Sequence, residues 1–183
     1  MKYPTYMVAV AAVLGLALAG CQPAAGPLTV ESSPAVPSPS SSELAAIIQA
    51  AVEDRNGTVL DAPPAARLDE GQLTAAYRSK RERDLSVVAR SKAGFKAMGF
   101  WYTSFSTRIT VESVEVTASE ASVRFKEHTE EYQASTVNGP SSVPSGYSLT
   151  QTATFRSSGD GWQLDGIAPT VHGGGLPMSV IEG

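Results

Sequence analysis

The stretch 121–131, "ASVRFKEHTEE", decides the fold. Ala121, Val123 and Phe125 alternate with Ser122, Arg124 and Lys126. A period of two is that of a strand with one buried face, because successive side chains point to opposite sides. If the alternation continues, Glu127, Thr129 and Glu131 face inward, and Arg124, Lys126, His128, Glu130 and Tyr132 face outward. Three polar side chains on the inward side of the strand make Phe125 to Gln133 the candidate site of the domain.

Working outward, further strands flank this one. Ile109 and Val111 share one phase and Val114 and Val116 another, a slip that predicts a bulge or bend in one long strand. Tyr147, Leu149, Ala153 and Phe155 mark a strand whose other face carries Ser148, Thr150, Thr152 and Thr154, with Gln151 as a further inward polar group. "SSGDGW" at 157–162 predicts a tight turn before Trp162 and Leu164. Upstream the period lengthens. Ser40 and Glu43 have capping-box spacing, and Leu44, Ile47, Ile48, Ala51 and Val52 recur at helical intervals before Asn56-Gly57, read as the stop. A second helical region is expected over about 69–97, with Leu73, Ala76, Tyr77, Leu85, Val88 and Ala89 as its buried stripe. The mixed charges of "RSKRERD", 78–84, read as a solvated helix face with an Arg78–Glu82 pair. Helices followed by an antiparallel meander predict an α+β domain over 42–168, and the tail 169–183 is expected to be loose.

This order of elements resembles the cystatin-like, nuclear transport factor 2-like superfamily. The resemblance implies N-terminal helices packed on a curved antiparallel sheet, a cystatin-like cone with its ligand pocket on the concave side. "YTSFSTRITVESVEVTASEASVRFKEHTEEYQ" and "YSLTQTATFRSSGDGWQLDGI" are similar to small helper domains of secreted actinobacterial proteins, which often precede a peptidoglycan-amidase-like domain. No amidase activity carries over, because no segment of catalytic-domain length follows these stretches in the sequence.

The first 20 residues read as a leader. Met1-Lys2 precedes an uncharged run from Met7 to Ala19, shorter than the roughly 20 apolar residues of a membrane span. Leu18-Ala19-Gly20-Cys21 resembles the lipobox of bacterial lipoproteins. That resemblance implies cleavage after Gly20, a diacylglyceryl group on Cys21, and attachment to the outer face of a bacterial cell membrane. The other reading is an ordinary secretory signal with a chance cysteine. Residues 21–41 are dense in Pro and Ser and too poor in apolar residues to fold, so they form a tether. Cys21 is the sole cysteine, and its lipidation leaves neither disulfide nor thiolate chemistry.

The formal charge of −4 becomes −5 once Lys2 is removed with the leader, which argues against a nucleic-acid partner. His128 and His172 are the two histidines, and no metal-ligand spacing or phosphate loop accompanies them, so no metal and no cofactor is expected. The candidate pocket is Glu127, Thr129, Glu131 and Gln151. Carboxylates at i and i+4 of one strand lie roughly 13 Å apart, too far to share a proton or to act as a glycosidase pair. One of them, if buried, could act as a general base. The other reading is a wet strand end. Phe100, Trp101, Tyr102 and Phe105 are read as core, or as a partner patch if exposed. The preferred expectation is a non-catalytic ligand-binding or adaptor lipoprotein of the cell envelope, its partner a small molecule or a protein. The alternative is a small hydrolase or isomerase using Glu127 or Glu131. On the adaptor expectation, Glu127→Gln leaves the fold nearly intact.

Overall fold

The structure, a computed structural model, describes residues 37–159, 161–171 and 175–182. The leader, Leu18, Ala19, Gly20 and Cys21, most of the tether, and His172 lie outside the described residues. The described residues belong to one compact unit, Pro34–Gly183.

Helix α1, Ser41–Gly57, begins as its capping box requires: the Ser40 hydroxyl accepts from the Glu43 N–H at 3.2 Å, and Glu43 accepts from the Ser40 N–H at 2.8 Å. A short 3₁₀ turn, Glu70–Gln72, precedes α2, Ala75–Ala97. The strands are β1, Phe100–Val116; β2, Glu120–Ser135; β3, Gly139–Pro140; β4, Ser145–Ser158; and β5, Gly161–Pro169. They form an antiparallel sheet in the order β1-β2-β4-β5, with β3 paired to the end of β2 at Ala134 and Ser135. The α+β class expected from the sequence is the one observed.

The phase slip in β1 is a register shift between Val111 and Ser113, and a second shift lies between Tyr102 and Ser104. Each inserts an unpaired residue and bends the strand. Against the sheet α1 lays Leu44, Ile48, Ala51 and Val52, all buried, which meet Val123, Phe125, Ala153, Phe155 and Leu164. The apolar core gives way to buried polar side chains where α1 reaches Asp54 and Asn56, and that boundary positions the site.

Gln49 finishes the edge of β1. Its amide nitrogen donates to the Thr107 carbonyl at 2.9 Å and its oxygen accepts from the Ile109 N–H at 3.0 Å, so one helical side chain replaces a strand neighbour. Asp54 holds the loop after α1 by accepting from the Arg67 and Leu68 N–H groups at 2.8 and 3.2 Å.

Four details differ from the sequence expectation. The second helical region breaks at Leu73, which is buried in a bridge to Leu164; α2 then starts from Thr74, whose hydroxyl caps Tyr77 and donates to Asp165. Along α2 Val88 is buried, whereas Leu85 is 45% exposed and Ala76 and Ala89 are exposed, because the helix covers the sheet at its ends and not along its length. Arg78 pairs with Glu70 of the 3₁₀ turn and not with Glu82. The segment read as a loose tail packs against the helices, with Ser179 and Val180 buried.

Candidate functional site

The alternation of β2 runs through to its polar half: Glu127 and Thr129 are fully buried and Glu131 is 8% exposed. Gln151, paired with Phe125 in the β2–β4 register, is also fully buried. Glu127 is the centre of the arrangement. Its Oε1 accepts from Asn56 Nδ2, Thr129 Oγ1 and Tyr147 Oη, each at 2.8 Å. Its Oε2 accepts from Arg55 and from Gln151 Nε2, both at 2.5 Å. Arg55 also donates to Gln151 Oε1 at 2.9 Å, which closes a ring of three side chains.

The partners come from five parts of the chain. Arg55 and Asn56 end α1; Thr129 lies two residues along β2 and Thr107 opposite it on β1, their hydroxyls 2.9 Å apart. Tyr147 and Gln151 belong to β4. Ser179, from the C-terminal segment, donates to Asn56 Oδ1 at 2.7 Å. The sequence places the helix stop at Asn56-Gly57, and α1 does end at Gly57; Asn56 also continues the Leu44–Ile48–Val52 stripe at four-residue spacing, and that spacing is the sequence signal by which its inward facing could have been found. Arg55, Tyr147 and Ser179 carry no comparable local signal.

The electrostatics follow from burial and pairing. Burial pushes the Glu127 carboxyl up, but the Arg55 charge and the hydrogen bonds from Asn56, Arg55 and Thr129 outweigh it and hold the group below the usual carboxylate range. Burial lowers the Arg55 guanidinium, and Glu127 more than restores it. Burial, reinforced by the nearby Glu127 charge, raises Tyr147. A carboxylate with five donors and no exposed surface is a structural anchor, ionised throughout the neutral range. Its lone pairs are taken up by those donors.

Glu131 differs. No hydrogen bond ties its carboxyl to another side chain among the described residues. Burial and the Glu127 charge raise its carboxyl above the usual range. Burial and Glu131 together push the Tyr102 phenol up to about 12. The structure therefore brings Glu127, Thr129 and Gln151 into one network and leaves Glu131 beside it. The Glu127 charge balances Arg55, so the pairing leads to the expectation that Glu127→Gln bears on the fold itself.

The aromatic group is not core. Phe95 of α2 stacks on Phe100 and Tyr102 with ring centres 5.6 and 5.1 Å apart, and Phe100 is 43% exposed. Among the described residues no group of His, Cys, Asp and Glu is placed to hold a metal ion, and no helix is long and apolar enough to cross a membrane.

No protein-family model and no curated protein matches the chain. Among solved structures it is similar to the intermembrane space region of the chloroplast protein ARC6, with 15% identity and a TM-score of 0.44, covering 73% of this chain and 98% of that one. So distant a likeness speaks to neither function nor location.

Proposed function

We propose that this protein is a lipid-anchored, extracytoplasmic binding lipoprotein whose α+β domain acts without catalysis. The observation that carries the non-catalytic reading is the state of Glu127: the best-placed carboxylate is sealed, ionised and fully partnered. A general base needs a reachable lone pair and a proton affinity near the working pH, and Glu127 has neither. Glu131 retains a raised proton affinity, but it stands beside the Glu127 network and not within it.

The anchor rests on Leu18-Ala19-Gly20-Cys21 at the end of an uncharged run, followed by a Pro- and Ser-rich tether. Lipid chains on Cys21 hold the protein at the bilayer, and the tether lets the domain stand off its surface. Labelling with an alkyne fatty acid, followed by membrane fractionation, tests this reading. The wild-type chain is expected labelled and in the membrane fraction, and Cys21→Ala unlabelled and released. A wild-type chain that is unlabelled and soluble overturns the anchor.

A further inference from the structure

The C-terminal segment is seated in a cleft between α1, α2 and β5. The space left beside it is about 50 Å³, lined by Arg55, Tyr77 and Lys80 on one side and by Ser179, Val180 and Ile181 on the other. Three successive residues make three different contacts. The Ser179 hydroxyl donates to Asn56 Oδ1 at 2.7 Å, Val180 is buried with 7% exposure, and the Ile181 carbonyl accepts from Lys80 Nζ at 3.1 Å. Among the described residues, the one backbone–backbone hydrogen bond of 177–181 is Val180 N–H to the Pro177 carbonyl, and none runs to the backbone of a helix or strand. The segment is therefore held by side chains and one carbonyl, not by a backbone ladder.

These contacts describe a ligand. A hydroxyl donor, a branched apolar side chain and a carbonyl acceptor on successive residues are what a short peptide presents. The cleft also offers a partner for them: Asn56 Oδ1 is buried, and without Ser179 it keeps only the longer contacts from Tyr147 Oη at 3.3 Å and from Arg55 at 3.4 and 3.5 Å, a weaker pairing that a new hydroxyl donor improves. Lys80 keeps Asp84 at 2.7 Å, so its charge stays balanced with the cleft empty. We propose that this cleft binds a peptide segment of a partner protein, a hydroxyl residue followed by a branched apolar one, and that residues 179–181 occupy it in the free chain as a displaceable internal ligand. This rests on the reading of the domain as a binding module. Membrane anchoring through Cys21 is tested separately, so failure of either reading leaves the other standing.

Two measurements on the full-length chain test the proposal. In the first, Val180→Asp expels the tail by putting a carboxylate where an apolar side chain is buried, and a fluorescent peptide of sequence LPMSVIE, residues 176–182, is titrated by anisotropy. The variant is expected to bind at least about tenfold more tightly than wild type, whose own tail competes at millimolar effective concentration. The same peptide with alanine in place of its serine is expected to bind about tenfold more weakly. Equal affinity of the two proteins, or no binding to a folded Val180→Asp chain, overturns the proposal. The second measurement is hydrogen exchange on the wild-type chain, which decides the case whether or not the variant folds. Amides of 178–181 are expected to exchange at least about 100-fold faster than those of α1. Protection of the tail equal to that of α1 makes it a permanent part of the core and overturns the proposal.

Discussion

Arg55 of α1 and Glu127 of β2 close an ion pair at 2.5 Å in which the carboxylate has no exposed surface and the guanidinium side chain is 18% exposed. Removing one partner of such a pair strands the other, which costs about 3–5 kcal/mol in a fully buried setting. Partial exposure of Arg55 favours the lower end. Glu127→Gln is therefore expected to destabilise the domain by about 3 kcal/mol, read as a shift of the urea midpoint. The double variant Arg55→Met, Glu127→Leu is expected to recover much of that loss, since it removes both charges at once. A double variant as unstable as the sum of the two single ones means that the pair is not coupled.

Glu131 carries the opposite pH signature to Glu127. A raised carboxyl binds its proton more tightly folded than unfolded, so its ionisation costs stability as pH rises above the ordinary value of 4.5. Glu131→Gln removes that cost. It is expected to raise Tm at pH 7 by about 2–4 °C, the shift that 1 kcal/mol makes in a chain of this size, and to leave Tm at pH 4 unchanged. Equal gains at both pH values would show a packing effect and not a titration.

Because the Glu127 carboxyl is held below 4.5, its contribution is present above that value and is lost as pH falls through the folded value. The wild-type domain is expected to lose stability steeply below pH 4, and the double variant lacking Arg55 and Glu127 to do so less steeply. Parallel acid-unfolding curves for the two would place the acid-sensitive group elsewhere.

Gln49 seals β1 through the Thr107 carbonyl and the Ile109 N–H. Gln49→Ala uncovers both groups and is expected to cost about 1–3 kcal/mol. The matching local readout is faster hydrogen exchange at Ile109, with Val123 of the central strand unchanged. Exchange that rises equally at both amides would indicate global unfolding and no specific edge role.

Gly99 joins α2 to β1 at φ +86, and a Cβ there meets the Thr136 hydroxyl at 2.7 Å. Gly99→Ala is expected to cost about 1–3 kcal/mol. Adding Thr136→Ala relieves the contact but leaves the backbone term of about 1–2 kcal/mol. Full rescue by the second substitution would assign the whole cost to sterics.

What the sequence determined by itself was the facing of each element. The alternation from Ala121 to Glu131 told that Glu127, Thr129 and Glu131 turn inward, and the spacing around Gln151 did the same for β4. The capping box at Ser40 and the slip after Val111 were legible for the same reason: each is written within a few residues. The tertiary structure alone decided what meets those inward polar groups. Arg55 reaches Glu127 across 72 residues and Ser179 reaches Asn56 across 123, and neither pairing leaves a local trace. Periodicity records which side of a strand or helix avoids water, a property of the element alone. A buried charge, by contrast, is satisfied by whichever donor the packing of distant segments delivers, and that is a property of the whole fold.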